Sequence, residues 1–409
     1  MEQRTNSPYP RVDRIVLAIV GVVLVIGTGL FMWSDRAHDW RYYQMTFRQM
    51  VAEQFGEDKA AVLPGGVQQI WTGELGRADR CVTCHQAIGY KGFESAEHPY
   101  RTHPVEPFKL HPVEKYGCTS CHGGQGWAID TAAAHGEVAH WEEPLLSRSL
   151  GETYTLAGNP NALMQMNCNT CHRFDRETPG ADAINLAKSL VNEKGCRACH
   201  VINGFGGTIG PDLTNVGEKP PEQYELSRLS GHRTAFAWHV AHFKDPRAVS
   251  EGTVMPNFNF STEQAQALSM LMLSWRRHDV PVRYVAGAPR TDPRSADELK
   301  AEAAMKSGPG GWFVQTGCFV CHSISALGVK SPAQIGPDLS TAVEDVQSRF
   351  GVTLDAFLAN PTGTMSVVLS RQIILTPEQK QVAIQKLREA FAEHQRQRAT
   401  TSEPSSGRQ

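Results

Sequence analysis

The chain has little of several things that mark common protein classes. Its 409 residues carry 40 Lys and Arg against 42 Asp and Glu, a formal charge of −2, so there is no basic surplus to draw it to nucleic acid. Aromatic residues make up only 8% of it. Apart from Ile15 to Trp33, no apolar run is long enough to cross a bilayer. A single helix cannot enclose a site inside the membrane. Cysteine is absent outside five short motifs, which use all ten, so no thiol is left over for a disulfide framework.

The five motifs are Cys81-Val-Thr-Cys84-His85, Cys118-Thr-Ser-Cys121-His122, Cys168-Asn-Thr-Cys171-His172, Cys196-Arg-Ala-Cys199-His200 and Cys318-Phe-Val-Cys321-His322. Each reads C-x-x-C-H, the pattern of covalent c-type haem attachment. The two thiols add across the haem vinyl groups as thioethers, and the following histidine becomes the proximal iron ligand. Half a zinc site needs no histidine directly after the second cysteine, and a thioredoxin-like redox pair usually occurs once. Five covalently bound haems c are therefore expected, with His85, His122, His172, His200 and His322 as proximal ligands. Haem supplies large apolar faces around which small domains can form cores. The chain reads as an electron wire or store.

The nineteen uncharged residues from Ile15 to Trp33 would span about 28 Å as a helix, enough for a hydrocarbon core of roughly 30 Å. Arg4, Arg11 and Arg14 precede them, which favours a cytoplasmic N-terminus (1–14). No A-x-A-like cleavage site follows, so 15–33 reads as an uncleaved single-span anchor. The haem segments are then expected on the periplasmic side of a bacterial cytoplasmic membrane. Residues 34–80 form a connector with an amphipathic helix around Trp40, Tyr43 and Phe47, read either as a partner-docking helix or as a cover for the first haem site.

Residues 81–180 hold three motifs with many Gly, Pro and His, and read as a compact trihaem module. His98, His103, His111, His135 and His140 supply enough donors for three distal ligands. Met164 or Met166 is the alternative on the third haem. From 181 to 280 the style changes. A helical apolar spacing at Ile184, Ala187 and Leu190 leads to the fourth motif, then Gly210-Pro211-Asp-Leu213 and Met255-Pro256. A final helix opens at Ser261 with a capping box to Gln264. Residues 281–295 form a linker, and 296–394 repeat the scheme with the fifth motif, Gly336-Pro337-Asp-Leu339, Met365 and a helix opened by Thr376-Pro377. Met365 is expected as the distal ligand there, since the other methionine, Met305, lies in the first helix. The tail 395–409 is polar and reads as disordered.

These two segments, on the order helix, C-x-x-C-H, G-P-x-L, methionine loop, helix, resemble class I cytochrome c domains. The resemblance implies that the carbonyl of Pro211, and of Pro337 in the repeat, accepts a hydrogen bond from the proximal histidine. It also implies Met255 as the fourth haem's distal ligand, with Met270 and Met272 as core-placed rivals. The front part, on Asp79-Arg80-Cys81, the His-Pro pairs, Tyr116-Gly117-Cys118 and Gly123-Gly124-Gln125-Gly126, is similar to multihaem modules of bacterial cytochromes that accompany cytochrome b/Rieske quinol-oxidising complexes. The expected fold is mainly α and irregular coil: an N-terminal transmembrane helix, the trihaem module and two all-α class I cytochrome c domains.

The function expected is periplasmic electron transfer from a quinol-oxidising membrane complex towards a soluble cytochrome or terminal oxidase or reductase, without bond chemistry by this chain. The competing reading is a multihaem reductase or peroxidase with one open haem. It needs a five-coordinate iron, whereas the sequence holds distal donors for all five and no C-x-x-C-K variant. A third reading is an assembly subunit with structural haems.

Overall fold

The computed structural model describes residues 10–36, 38–139, 141, 143–156, 158–277, 280–287 and 294–401. His140, most of the linker's middle and the last eight residues lie outside them. The fold is mainly α, with many short 3₁₀ turns and one two-stranded sheet. The chain divides into two compact units, Met1–Leu146 and Ser147–Gln409.

The first unit begins with helix α1, Pro10–Arg36. Within it Arg11–Ser34 is long and apolar enough to cross a membrane and is not buried against protein. Helix α2, Asp39–Phe55, buries Trp40, Gln44, Phe47 and Val51, a stripe at helical spacing. Phe47 and Val51 pack with Ala60, Leu63, Ala87 and Phe93, so α2 covers the segment of the first motif. Gln44 Nε2 donates to the carbonyls of Gly66 and Thr83 at 2.7 and 2.9 Å, and Thr83 lies inside that motif. Strands β1, Ile70–Thr72, and β2, Arg77–Asp79, pair antiparallel and end immediately before it.

In the second unit helix α3, Gln165–Cys171, carries the third motif. Helix α4, Asp182–Glu193, buries Ile184, Ala187, Leu190 and Val191. Helix α5, Ala235–Lys244, and helix α6, Thr262–Ser274, follow. The capping box from Ser261 to Gln264 is formed, with N–H···O contacts of 3.0 and 3.1 Å. Helix α6 is buried on nearly every side and sits at the centre, packed by α3, α4 and α5. The repeat contributes α7, Ala296–Ser307, α8, Ala342–Phe350, α9, Leu354–Ala359, α10, Thr364–Arg371, and α11, Pro377–Thr401. Its core gathers Phe313, Ile324, Val329, Phe357 and Leu387.

Two places differ from the expectation. The boundary between units falls at 146/147, inside the 81–180 segment, so the third motif folds with the second unit. Its Asn169 Nδ2 donates to Ser274 Oγ at 2.8 Å and Gln165 Oε1 accepts from the first turn of α4, long-range contacts that no local pattern announces. The second is the C-terminus, where α11 runs on to Thr401. The segment is polar, but Gln, Arg and Ala are good helix formers.

Candidate haem sites

The fourth and fifth motifs are built alike. Gly195 and Gly317, both at positive φ (+60° and +82°), end the preceding helical turns and let the chain swing into a 3₁₀ turn over the first cysteine. The histidine after it is oriented by a backbone carbonyl. His200 Nδ1 donates to Pro211 O and His322 Nδ1 to Pro337 O, both at 2.8 Å. A carbonyl only accepts, so Nδ1 carries the proton and Nε2 keeps the lone pair a metal takes. Burial holds both rings below the ordinary histidine pKa, against the opposing pull of the proline carbonyls, so both are neutral as ligands must be. No larger residue fits behind them: a Cβ at Gly210 would stand 2.4 Å from the His200 ring, and one at Gly336 2.2 Å from His322.

Both sites open into one cavity of about 1620 Å³. Its wall carries Cys196, Cys199 and His200 on one part, Cys318, Cys321 and His322 on another, and both Met255 and Met365. Single small-molecule pockets measure roughly 300–1,000 Å³, so the space exceeds what one ligand of that class needs. The two sites sense each other. Burial first, then the Cys199 thiol, pushes the Cys321 thiol up to about 11. Gln372 Nε2 of the repeat donates to Ala198 O at 3.0 Å, and Gly195 abuts Ala333 so closely that a Cβ would fall 1.9 Å from its methyl. Met365 lies in the first turn of α10 rather than in a loop. Met270 and Met272 are buried in α6, and Met305 packs on the repeat's core. The thiols, oriented imidazoles and glycine cradles fit a covalently attached haem in each half. Among the described residues no three His, Cys, Asp or Glu side chains converge as a zinc site would need.

The third motif uses a different orienting group. His172 Nδ1 lies 2.6 Å from Asp175 Oδ2, a carboxylate three residues on, which the sequence reading missed. Lys188 Nζ donates to the carbonyls of His172 and Asp175 at 2.7 and 2.9 Å. Arg173 reaches Asn203 Oδ1 at 2.7 Å and the Thr214 carbonyl, tying this site to the loop around Pro211. Met164 precedes α3 and Met166 lies on it.

In the first unit the first two motifs lie together, the Cys81 and Cys118 thiols close enough to shift each other's titration in opposite directions. His85 has His98 and His135 at ring-centroid distances of 6.4 and 6.5 Å, and His122 has His103 at 6.0 Å. Burial, then His135, His98 and His122, pulls His85 down to about 4. His111 packs on Tyr116 at 5.0 Å. The second motif is pinned by the fully buried Asp79, which accepts from Cys118 N, Thr119 N and Thr119 Oγ1 at 2.6, 3.2 and 2.7 Å. Gly117 (φ +68°) and Gly126 press against this carboxylate, and a Cβ on either would lie 2.1 or 2.4 Å from its oxygens.

The Cytochrome c family matches residues 184–275. This stretch is similar to a cytochrome c domain. Such a domain carries covalently bound haem c and works by haem-based electron transfer. Over 93 residues the chain is 30% identical to cytochrome c oxidase subunit 2 of Alkalihalophilus pseudofirmus, and the match covers 22% of this chain. The chain spans about a quarter of the length of that relative, 25%. No solved structure matches. The cytochrome c domain begins within α4 and ends after α6, so it includes the fourth motif, Pro211 and Met255. It also includes His239 and His242, which the sequence reading passed over; the spacing His-x-x-His beside Trp238 in a helix was the available signal.

Proposed function

We propose that this protein is a membrane-anchored pentahaem cytochrome c. On this reading α1 is the anchor, the haem domains stand on the periplasmic side, and the chain relays electrons without bond chemistry of its own. The observation that carries it is the cavity lined by two cysteine pairs, two carbonyl-oriented histidines and the methionines Met255, Met272 and Met365, next to a third C-x-x-C-H site in the same unit. Haem bound there supplies one-electron chemistry at iron. The chain's residues do the rest. Cysteine thiols hold it covalently, Pro211 and Pro337 fix the imidazole tautomers, and Met255 and Met365 offer thioethers.

The orienting groups favour a gradient. A carboxylate on Nδ1 makes an imidazole more basic than a backbone carbonyl does, so Asp175 favours a lower potential at the third site. A methionine ligand raises potential relative to histidine, which places the fourth and fifth sites at the high end. The front sites, rich in His98, His103, His111 and His135, are read as bis-histidine and low. Electrons then enter from a quinol-oxidising partner of cytochrome b/Rieske type and leave from the cytochrome c domains to a soluble cytochrome or an oxidase. The likeness to an oxidase subunit supports that exit side. Mass spectrometry of the purified chain counts the haems, and potentiometric titration orders them. Fewer than five covalent haems, five equal potentials, or a front set above the rear would each overturn the proposal.

A further inference from the structure

One part of the cavity wall brings two donor atoms together. His242 Nε2, on α5, lies 3.2 Å from Met255 Sδ. Both residues line the cavity that His200 also lines. The His242 ring is held in place: it stacks on Trp238 at 4.7 Å with planes 10° apart, and Ser250 Oγ stands 3.2 Å from Nδ1. In the tautomer whose Nδ1–H donates to Ser250 Oγ, Nε2 carries the lone pair, the arrangement that orients ligating histidines elsewhere; in the other, Nε2–H donates to the Met255 thioether. His239, one turn back, is engaged instead with the Tyr224 hydroxyl at 3.1 Å. An iron takes one ligand at its sixth position, and these two donor atoms lie in contact with each other on the cavity wall.

We propose that the sixth coordination position of the fourth haem is served by two donors, Met255 as the resident ligand and His242 as the one that takes its place when the thioether leaves. This rests on the reading of Cys196–His200 as a haem site. The arrangement keeps the iron closed to small ligands even if Met255 is lost or oxidised to the sulfoxide, a change that turns an apolar side chain polar. It also sets two possible poises for one haem, higher with methionine and lower with histidine.

The test uses the full membrane-bound chain and carbon monoxide as the probe. Met255→Leu is expected to keep every haem low-spin, take up no carbon monoxide when reduced, and lower one potential. His242→Phe, which preserves the stacking on Trp238, is expected to stay low-spin. The double variant is expected to gain one high-spin haem and to bind one equivalent of carbon monoxide. Met255→Leu alone becoming high-spin and binding carbon monoxide overturns the proposal, as does a double variant that remains fully low-spin. If the double variant does not fold, the Met255→Leu result decides by itself. Mass analysis of the peptide holding Cys196 and Cys199 separates the two levels: a peptide without haem refutes the haem-site reading, whereas a haem-bearing peptide with the wrong spin state refutes only the paired donors.

Discussion

Alanine in place of Gly336 tests how tightly the fifth proximal histidine is held. The added methyl would sit 2.2 Å from His322 Cε1, 2.3 Å from Nδ1 and 2.8 Å from Nε2, where ordinary carbon contacts need roughly 3.5–4.0 Å. The clash is spatial, not conformational, since the backbone there is not in the left-handed region. Neither side yields easily. Gly336 N is bonded to Cys321 O at 2.8 Å, and the ring is bonded to the next residue's carbonyl at 2.8 Å. A retreat of the ring by about 1 Å breaks that bond, at about 1 kcal/mol net, and overpacking adds about 1–3 kcal/mol. A loss of about 2–4 kcal/mol follows, which at about 2–4 °C per kcal/mol for a domain of 150–250 residues lowers Tm by roughly 5–15 °C. The same displacement misaims Nε2, so one haem potential should move. Gly210→Ala, with its nearest contact at 2.4 Å, should do the same at the fourth site. Gly65→Ala, which meets nothing within 4 Å, serves as the control and should stay within about 0.5 kcal/mol. An unchanged Tm together with an unchanged redox titration in Gly336→Ala would refute the reasoning.

Asp79→Ala orphans two backbone N–H groups at the second motif, at about 1–3 kcal/mol each; the first unit should unfold earlier, and haem on the Cys118 peptide should fall by mass analysis while Asp79→Asn is milder. Asp175→Asn removes the carboxylate behind His172 and should raise one potential, and a titration curve identical to wild type would remove Asp175 from the account. Met365→His should lower one potential, with no change showing that another residue holds that position. Burial, then His242 and Lys219, holds His239 down to about 3, below its ordinary value near 6.5. The stability this neutral ring contributes is therefore complete above about pH 6.5 and is lost as pH falls towards 3. Denaturant midpoints across that window should drop more steeply in wild type than in His239→Gln.

What the sequence made legible was chemistry carried by neighbours in the chain. A C-x-x-C-H motif holds its ligands within five residues, the Ser261–Gln264 box is a local contact, and Ile184, Ala187 and Leu190 mark a buried face by spacing alone. Pro211 and Pro337 could be named because each sits in a Gly-Pro-Asp-Leu segment that resembles a family motif. The unread part depends on residues far apart. Asn169 meets Ser274 across more than a hundred residues, which is why the third motif lies in the second unit rather than with the first two. His242 was passed over, and only the fold sets its ring against Met255. Asp175 was close in sequence, but its role depends on a turn that leaves no signature in residue types.

The contact between the two halves of the cavity has a consequence for how the molecule can be divided. Residues 181–280 read as a portable domain, with a motif, a helix at each end and a linker after it. Yet Gly195 leans on Ala333, Ala198 takes a hydrogen bond from Gln372, and Arg176 pairs with Glu298 at 2.6 Å. A protein cut after residue 280 would not be a shorter relay. It would be one valve of a bivalve, its apolar inner face turned to water and prone to close on a second copy of itself.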